Sequence, residues 1–140
     1  MSNIIGIGYE GLTIDEFIQA LQERNVTTLV DVRLNALSRK PGFSKNKLQG
    51  AVTAAGIKYE HLRALGNPKD NRAGFYSTDP AEKADAASRY HEILEGEAGK
   101  TALARIRELS QGGKVALLCF ECDEGKCHRR LVLRALARGE

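Results

Sequence analysis

The densest run of reactive side chains is CFECDEGKCHRR, from Cys119 to Arg130. It admits three chemistries. Cys119, Cys122, Cys127 and His128 form a C-x2-C-x4-C-H pattern, a ligand set for tetrahedral zinc and so for a zinc-stabilised structural domain. Cys119 continues an apolar run, however, and the neighbours Cys127 and His128 would need an unusual turn to share one ion, so no metal is expected. In the second reading Cys127 opens a helix beside Lys126, His128 and Arg129, where the dipole and the cations favour a nucleophilic thiolate. In the third, Arg129 and the backbone N–H groups of that helix start hold a phosphate or carboxylate without any nucleophile. The inert counterpart is a buried cysteine next to a pair of surface arginines.

Other candidates sit at the ends of apolar runs. Asp31 and Arg33 (DVR) could orient a ligand and clamp an anion, or they could pair with each other to tie a loop to a sheet. His61 could act as a general base, and Asp31, Glu121 or His128 could also supply acid–base catalysis. Gly6-Ile-Gly8-Tyr9-Glu10-Gly11 has the spacing of a dinucleotide-binding glycine loop, with Asp31 twenty residues beyond. Gly6 falls inside the strand, and Glu10 would set a negative charge beside a pyrophosphate. A tight strand-to-helix turn therefore explains the pattern better, although Gly8 and Tyr9 stay candidate ligand contacts. Ser38, Arg39, Lys40, Lys45 and Lys47 make a basic loop over 38–47 with a single aromatic, Phe43, which allows a non-catalytic nucleic-acid-binding module as an alternative.

These residues need a scaffold, and the sequence alternates short apolar runs with helical patterns, the signature of a parallel α/β sheet. Strands are expected at Asn3–Gly8, Thr27–Val32, Ile57–His61 and Lys114–Phe120. Thr13 and Glu16 predict a capping box, with Leu12 and Phe17 as its hydrophobic staple. Ser44 predicts the start of a helix that ends near Gly56. Leu62–Thr78 reads as a long polar loop. Asp79, Pro80 and Glu82, as N-cap, first helical residue and capping-box partner, predict another capped helix, broken at Gly96 and Gly99 from a second piece that ends at Gly112-Gly113. A closing helix is expected over Cys127–Ala137. The fold class is thus α/β, one Rossmann-like domain over 1–140 with a mainly parallel sheet of about four strands. In such folds ligands collect beyond the carboxyl ends of the strands, where Gly8, Asp31, His61 and Cys119 would converge.

Composition excludes several classes. One hundred and forty residues with 42% hydrophobic and 28% charged side chains suit one soluble domain rather than a disordered chain. No apolar stretch reaches membrane-spanning length, so no membrane partner is expected and the cytoplasm is the expected compartment. Three cysteines cannot all pair within one chain and read as thiols. The net charge of +3 is unevenly placed: residues 24–72 carry ten bases and three acids, while residues 1–23 carry four acids and no base. That basic segment points to a phosphate-bearing small molecule or a nucleic acid, with no cofactor implied. The reading that follows is a small enzyme working on a phosphate-bearing substrate at the strand-end edge.

The segments IGYEG (Ile7–Gly11), LVDVR (Leu29–Arg33), SRKPGFSK (Ser38–Lys45), GIKYEHLRALGNPKDNR (Gly56–Arg72), LLCFE (Leu117–Glu121) and CHRR (Cys127–Arg130) occur in order along nearly the whole chain. In these the sequence resembles the domain-of-unknown-function 488 family. The resemblance implies a Rossmann-like α/β domain and supplies no reaction, since the family has no established general activity. It implies that Gly8, Asp31, Arg33, Ser38, Arg39, His61, Cys119, Glu121, Cys127, His128 and Arg129 hold motif positions. Cys122 does not, which removes a member of the zinc set. Ala36 stands where the family loop often has proline, and Tyr9-Glu10 is the version of a subgroup. Rhodaneses and Cys-based phosphatases also build anion loops between a strand and a helix, but six residues separate Cys122 from Arg129 and neither spacing is met.

Overall fold

The computed structural model describes residues 3–36, 38, 40–119 and 128–138, without the side chain of Cys119. Four short β-branched or apolar runs form strands: β1 (Ile4–Gly8), β2 (Val26–Asp31), β3 (Lys58–His61) and β4 (Lys114–Cys119). They pair in the order β1-β4-β2-β3, and every pairing is parallel. The helices are α1 (Ile14–Glu23), α2 (Lys45–Ala54), α3 (Arg72–Tyr76), α4 (Pro80–Glu95), α5 (Glu97–Gln111) and α6 (Arg129–Ala137). The protein is α/β with a parallel sheet, as the alternation of apolar and helical segments predicts. Among the described residues no helix is long and apolar enough to cross a membrane.

Alternation along the strands divides the core into two layers. Ile7, Leu29, Ala116 and Leu118 pack with Phe17 and Leu21 of α1 and with Leu48 and Val52 of α2. Val30, Val32, Val115 and Leu117 face the other way, onto Tyr90 and Leu94 of α4, Leu103 and Ile106 of α5, and Val132 of α6. Both sheet faces are covered, which is why the strands read as nearly continuous apolar runs.

The predicted capping box at α1 is present. Glu16 N–H donates to Thr13 Oγ1 at 3.2 Å and Thr13 N–H to Glu16 Oε1 at 2.9 Å. At α4, Asp79 accepts from Ala81 N–H at 3.0 Å, but Glu82 accepts from the Ser77 hydroxyl instead of closing a box.

Two further expectations are corrected. The stretch expected as a loop over Leu62–Thr78 holds two 3-10 turns, Arg63–Leu65 and Lys69–Asn71, followed by α3. Leu65 and Phe75 anchor it in the core, and Asn71 Nδ2 donates to Asn67 Oδ1 and to Ala86 O, both at 3.0 Å. Gly, Pro and Asn dominate the local pattern there and mask these anchors. The other correction is Gly99, which lies inside α5 rather than breaking it: a Cβ would sit 2.2 Å from Ile93 O, so the glycine is where α5 crosses the end of α4.

Candidate functional site

The register brings the strand ends into one row. Gly8 pairs with Cys119, and Asp31 lies between Leu118 and His61. The convergence expected from topology is therefore formed by the described strands.

At the centre of that row Asp31 is fully buried and Arg33 nearly so. Arg33 grips the carboxylate as a fork, Nε to Oδ1 at 2.8 Å and Nη2 to Oδ2 at 2.6 Å. Its Nη1 donates to Tyr9 Oη at 3.2 Å and to Phe43 O at 2.8 Å. Four of the five guanidinium N–H groups are thus used within the protein. Asp31 also accepts the Arg33 backbone N–H at 3.1 Å and the Tyr59 hydroxyl at 2.6 Å. Burial works against the Arg33 charge, yet the hydrogen bonds and attraction of Asp31 outweigh it and hold the guanidinium pKa above its ordinary value. The pair is a knot joining the exits of β1 and β2, the strand β3 and the loop before α2.

Tyr59 carries no signal of its own in the sequence. It lies two residues before His61 on a strand of period two and pairs with Leu29, so it shares a sheet face with Asp31. Register, once known, is the signal that finds it. Burial and the negative Asp31 beside it push its phenol pKa upward. The folded state then keeps a proton that the unfolded chain gives up near the ordinary value of 10.0, so stability is full below that value and falls as pH rises beyond it. Alkaline titration followed by phenolate absorbance should show a late-ionising tyrosine that Tyr59→Phe removes. An unchanged profile in that variant would contradict the assignment.

The knot also fixes the basic loop. Lys40-Pro41-Gly42-Phe43 is a turn with Phe43 N–H on Lys40 O at 3.2 Å and Gly42 at φ +89°, the type II position that calls for glycine. The turn delivers the Phe43 ring onto Tyr9, stacked at 4.4 Å with 10° between planes, while Phe17 meets both rings edge-on. Tyr9 is therefore a core residue at 3% exposure, and Gly8 ends β1 in regular pairing.

Beyond the knot, Ser44 stands at the N-cap of α2, but its hydroxyl serves Ser38: it donates to Ser38 O and accepts from Ser38 N–H, both at 3.0 Å. Lys45 N–H is taken by Ala36 O at 2.7 Å, and the Ser44 side chain caps none of the first-turn amides. This end of α2 opens on a groove of about 880 Å³. Lys40, Lys45, Lys47, Arg63 and His61 line it, together with Ser38 and Ser44, and no carboxylate does so among the described residues. Arg63 is an addition to the sequence-derived candidates; it lay within a segment read as polar loop.

The two histidines bond consecutive carbonyls of the chain leaving β2. His61 Nε2–H donates to Arg33 O at 2.7 Å, and His128 Nε2–H to Val32 O at 2.8 Å. Carbonyl acceptors require the proton on Nε2 in each ring, which assigns the lone pair of the neutral form to Nδ1. His61 is half-buried at the groove wall. His128 is buried with its ring edge on Tyr90, 5.0 Å between centroids, and Arg129 beside it is 1% exposed at the start of α6. Arg39, Glu121, Cys122 and Cys127 lie outside the described residues. Among the residues described, no group of three or more His, Cys, Asp or Glu side chains could hold a metal ion.

A family model described as domain of unknown function DUF488 matches residues 13–136. The chain belongs to the DUF488 family. The match takes in the DVR segment, the basic loop, His61 and the start of α6, so every described residue of the groove is a DUF488 residue. No curated protein matches the sequence. Among solved structures, this DUF488 chain is similar to a candidate phosphatase (DUF442) from Shewanella putrefaciens CN-32 in two crystal structures. Identity is 12% in both, with TM-scores of 0.48 and 0.47; 99% and 98% of this chain align with 70% and 65% of that one.

Proposed function

We propose that this DUF488 protein is a small enzyme that holds a phosphate-bearing substrate in the basic groove and moves a proton at His61. The observation that carries the reading is the lining of the groove: Lys40, Lys45, Lys47 and Arg63 around the start of α2, with no carboxylate among the described residues that line it. Glu16 attracts Lys40 from outside the lining, but like charges gathered in excess raise the local potential and attract an anion, and first-turn amides add donors that fit phosphate oxygens. The groove lies beyond the carboxyl ends of β2 and β3, where parallel α/β folds collect ligands.

His61 is the group placed for proton transfer. Its Nε2–H is fixed on Arg33 O, and Nδ1 has no partner among the described residues, so the ring is oriented with a basic nitrogen left over. Asp31 and Arg33 act as positioning residues in this scheme. They hold the Arg33 carbonyl that orients His61 and the Phe43 carbonyl that anchors the loop.

Titration calorimetry with inorganic pyrophosphate at low ionic strength tests the reading. The double variant Lys45→Ala/Lys47→Ala should weaken binding by about tenfold to a hundredfold, the worth of one or two charge-assisted hydrogen bonds. Affinity within about twofold of the parent would overturn it.

A further inference from the structure

A second groove, of about 720 Å³, adjoins the first. It runs between the segment leaving β3 and one face of α5, and its walls are of a different kind: Leu62, Ala64, Ala98 and Ala102 with Thr101. His61 and Arg63 line both grooves and so form the ridge between them. The carboxylate of this region, Glu97, is confined to the α5 side. Arg105, the other cation there, is already taken: it forks onto Glu60, with Nε to Oε2 and Nη2 to Oε1 both at 2.8 Å, and also pairs with Glu108.

We propose that the substrate is a nucleotide that straddles the His61–Arg63 ridge, with phosphates in the basic groove and nucleoside in the groove against α5. The inference rests on the reading of the basic groove as a phosphate site. Charge sets the orientation, because phosphate is repelled by Glu97 and drawn to the lysines, while Glu97 and Thr101 can accept from sugar hydroxyls. Small apolar side chains at Ala98 and Ala102 leave a flat wall suited to a base or sugar face. The ridge places His61 next to the bond between phosphate and nucleoside, where a proton would be exchanged.

The test compares inorganic pyrophosphate with the four common nucleoside diphosphates. At least one nucleotide should bind about tenfold or more tightly than pyrophosphate, the gain expected from burying a base. Ala98→Phe and, separately, Thr101→Trp fill the α5 groove from exposed positions, and thermal unfolding checks that each variant folds. Either should abolish the nucleotide advantage and leave pyrophosphate affinity within about twofold. Four nucleotides that bind no better than pyrophosphate, or nucleotide binding untouched by both variants, would overturn the proposal. Pyrophosphate binding that ignores Lys45→Ala/Lys47→Ala would instead overturn the phosphate site beneath it.

Discussion

Asp31→Ala is expected to cost the fold about 3–5 kcal/mol, the loss typical of breaking a buried ion pair from one side. The substitution removes both prongs of the Arg33 fork and leaves that guanidinium almost entirely buried, with Tyr9 and Phe43 as its acceptors among the described residues. It also strips the Tyr59 hydroxyl of its acceptor. Urea unfolding of the variant measures the cost directly. Asp31→Leu combined with Arg33→Met should recover most of the loss, because apolar replacement of both partners removes the buried charge along with the bond. A single variant that loses less than about 1 kcal/mol would show that water reaches the pair. Pyrophosphate binding should fall in Asp31→Ala although Asp31 is absent from the groove lining, since the loop that carries Lys40 is held through Phe43.

Gly66→Ala is expected to destabilise by about 3 kcal/mol, at the upper end for overpacking. The glycine has an ordinary backbone conformation, φ −71° and ψ 143°, so conformational freedom is not what the site requires. Space is. An added Cβ would lie 2.3 Å from Leu34 Cα and 2.6 Å from Leu34 N, backbone atoms that no rotamer change can move aside. The segment after β3 would have to lift off the chain leaving β2, and both border the basic groove. Gly50 within α2 provides the internal control, for a Cβ there meets nothing within 4 Å. Gly50→Ala should stabilise by up to about 1 kcal/mol through helix propensity alone. Thermal unfolding of the two variants should therefore shift in opposite directions; equal shifts would refute the close-approach argument.

Strand positions, the Thr13–Glu16 capping box and the convergence of strand ends were legible in the sequence because local rules set them: short continuous apolar runs, cap chemistry and parallel topology. Ends differ by a residue or two, as with β2, which begins at Val26 rather than Thr27. The segment after β3 was not legible. Its anchors, Leu65, Asn71 and Phe75, make their decisive contacts with α4 and the sheet, and a pattern crowded with Gly, Pro and Asn gives no sign of them. At the site, DVR was read either as a ligand clamp or as an internal pair. Choosing between those needs the positions of Tyr9, Phe43 and Tyr59, which come from three other parts of the chain. Arg63 joins the lysines of residues 40–47 only after β3 is laid beside β2.

The strand order carries a consequence for how the chain matures. β4 is made last and inserts between β1 and β2. Until Lys114–Cys119 has been synthesised, β1 has no neighbour in the sheet and β2 can pair only with β3. The His128 bond to Val32, which spans 96 residues, closes later still. A nascent chain of this protein therefore carries an unsatisfied strand edge until β4 emerges, and the row of strand ends that frames the groove is completed in a long-range step.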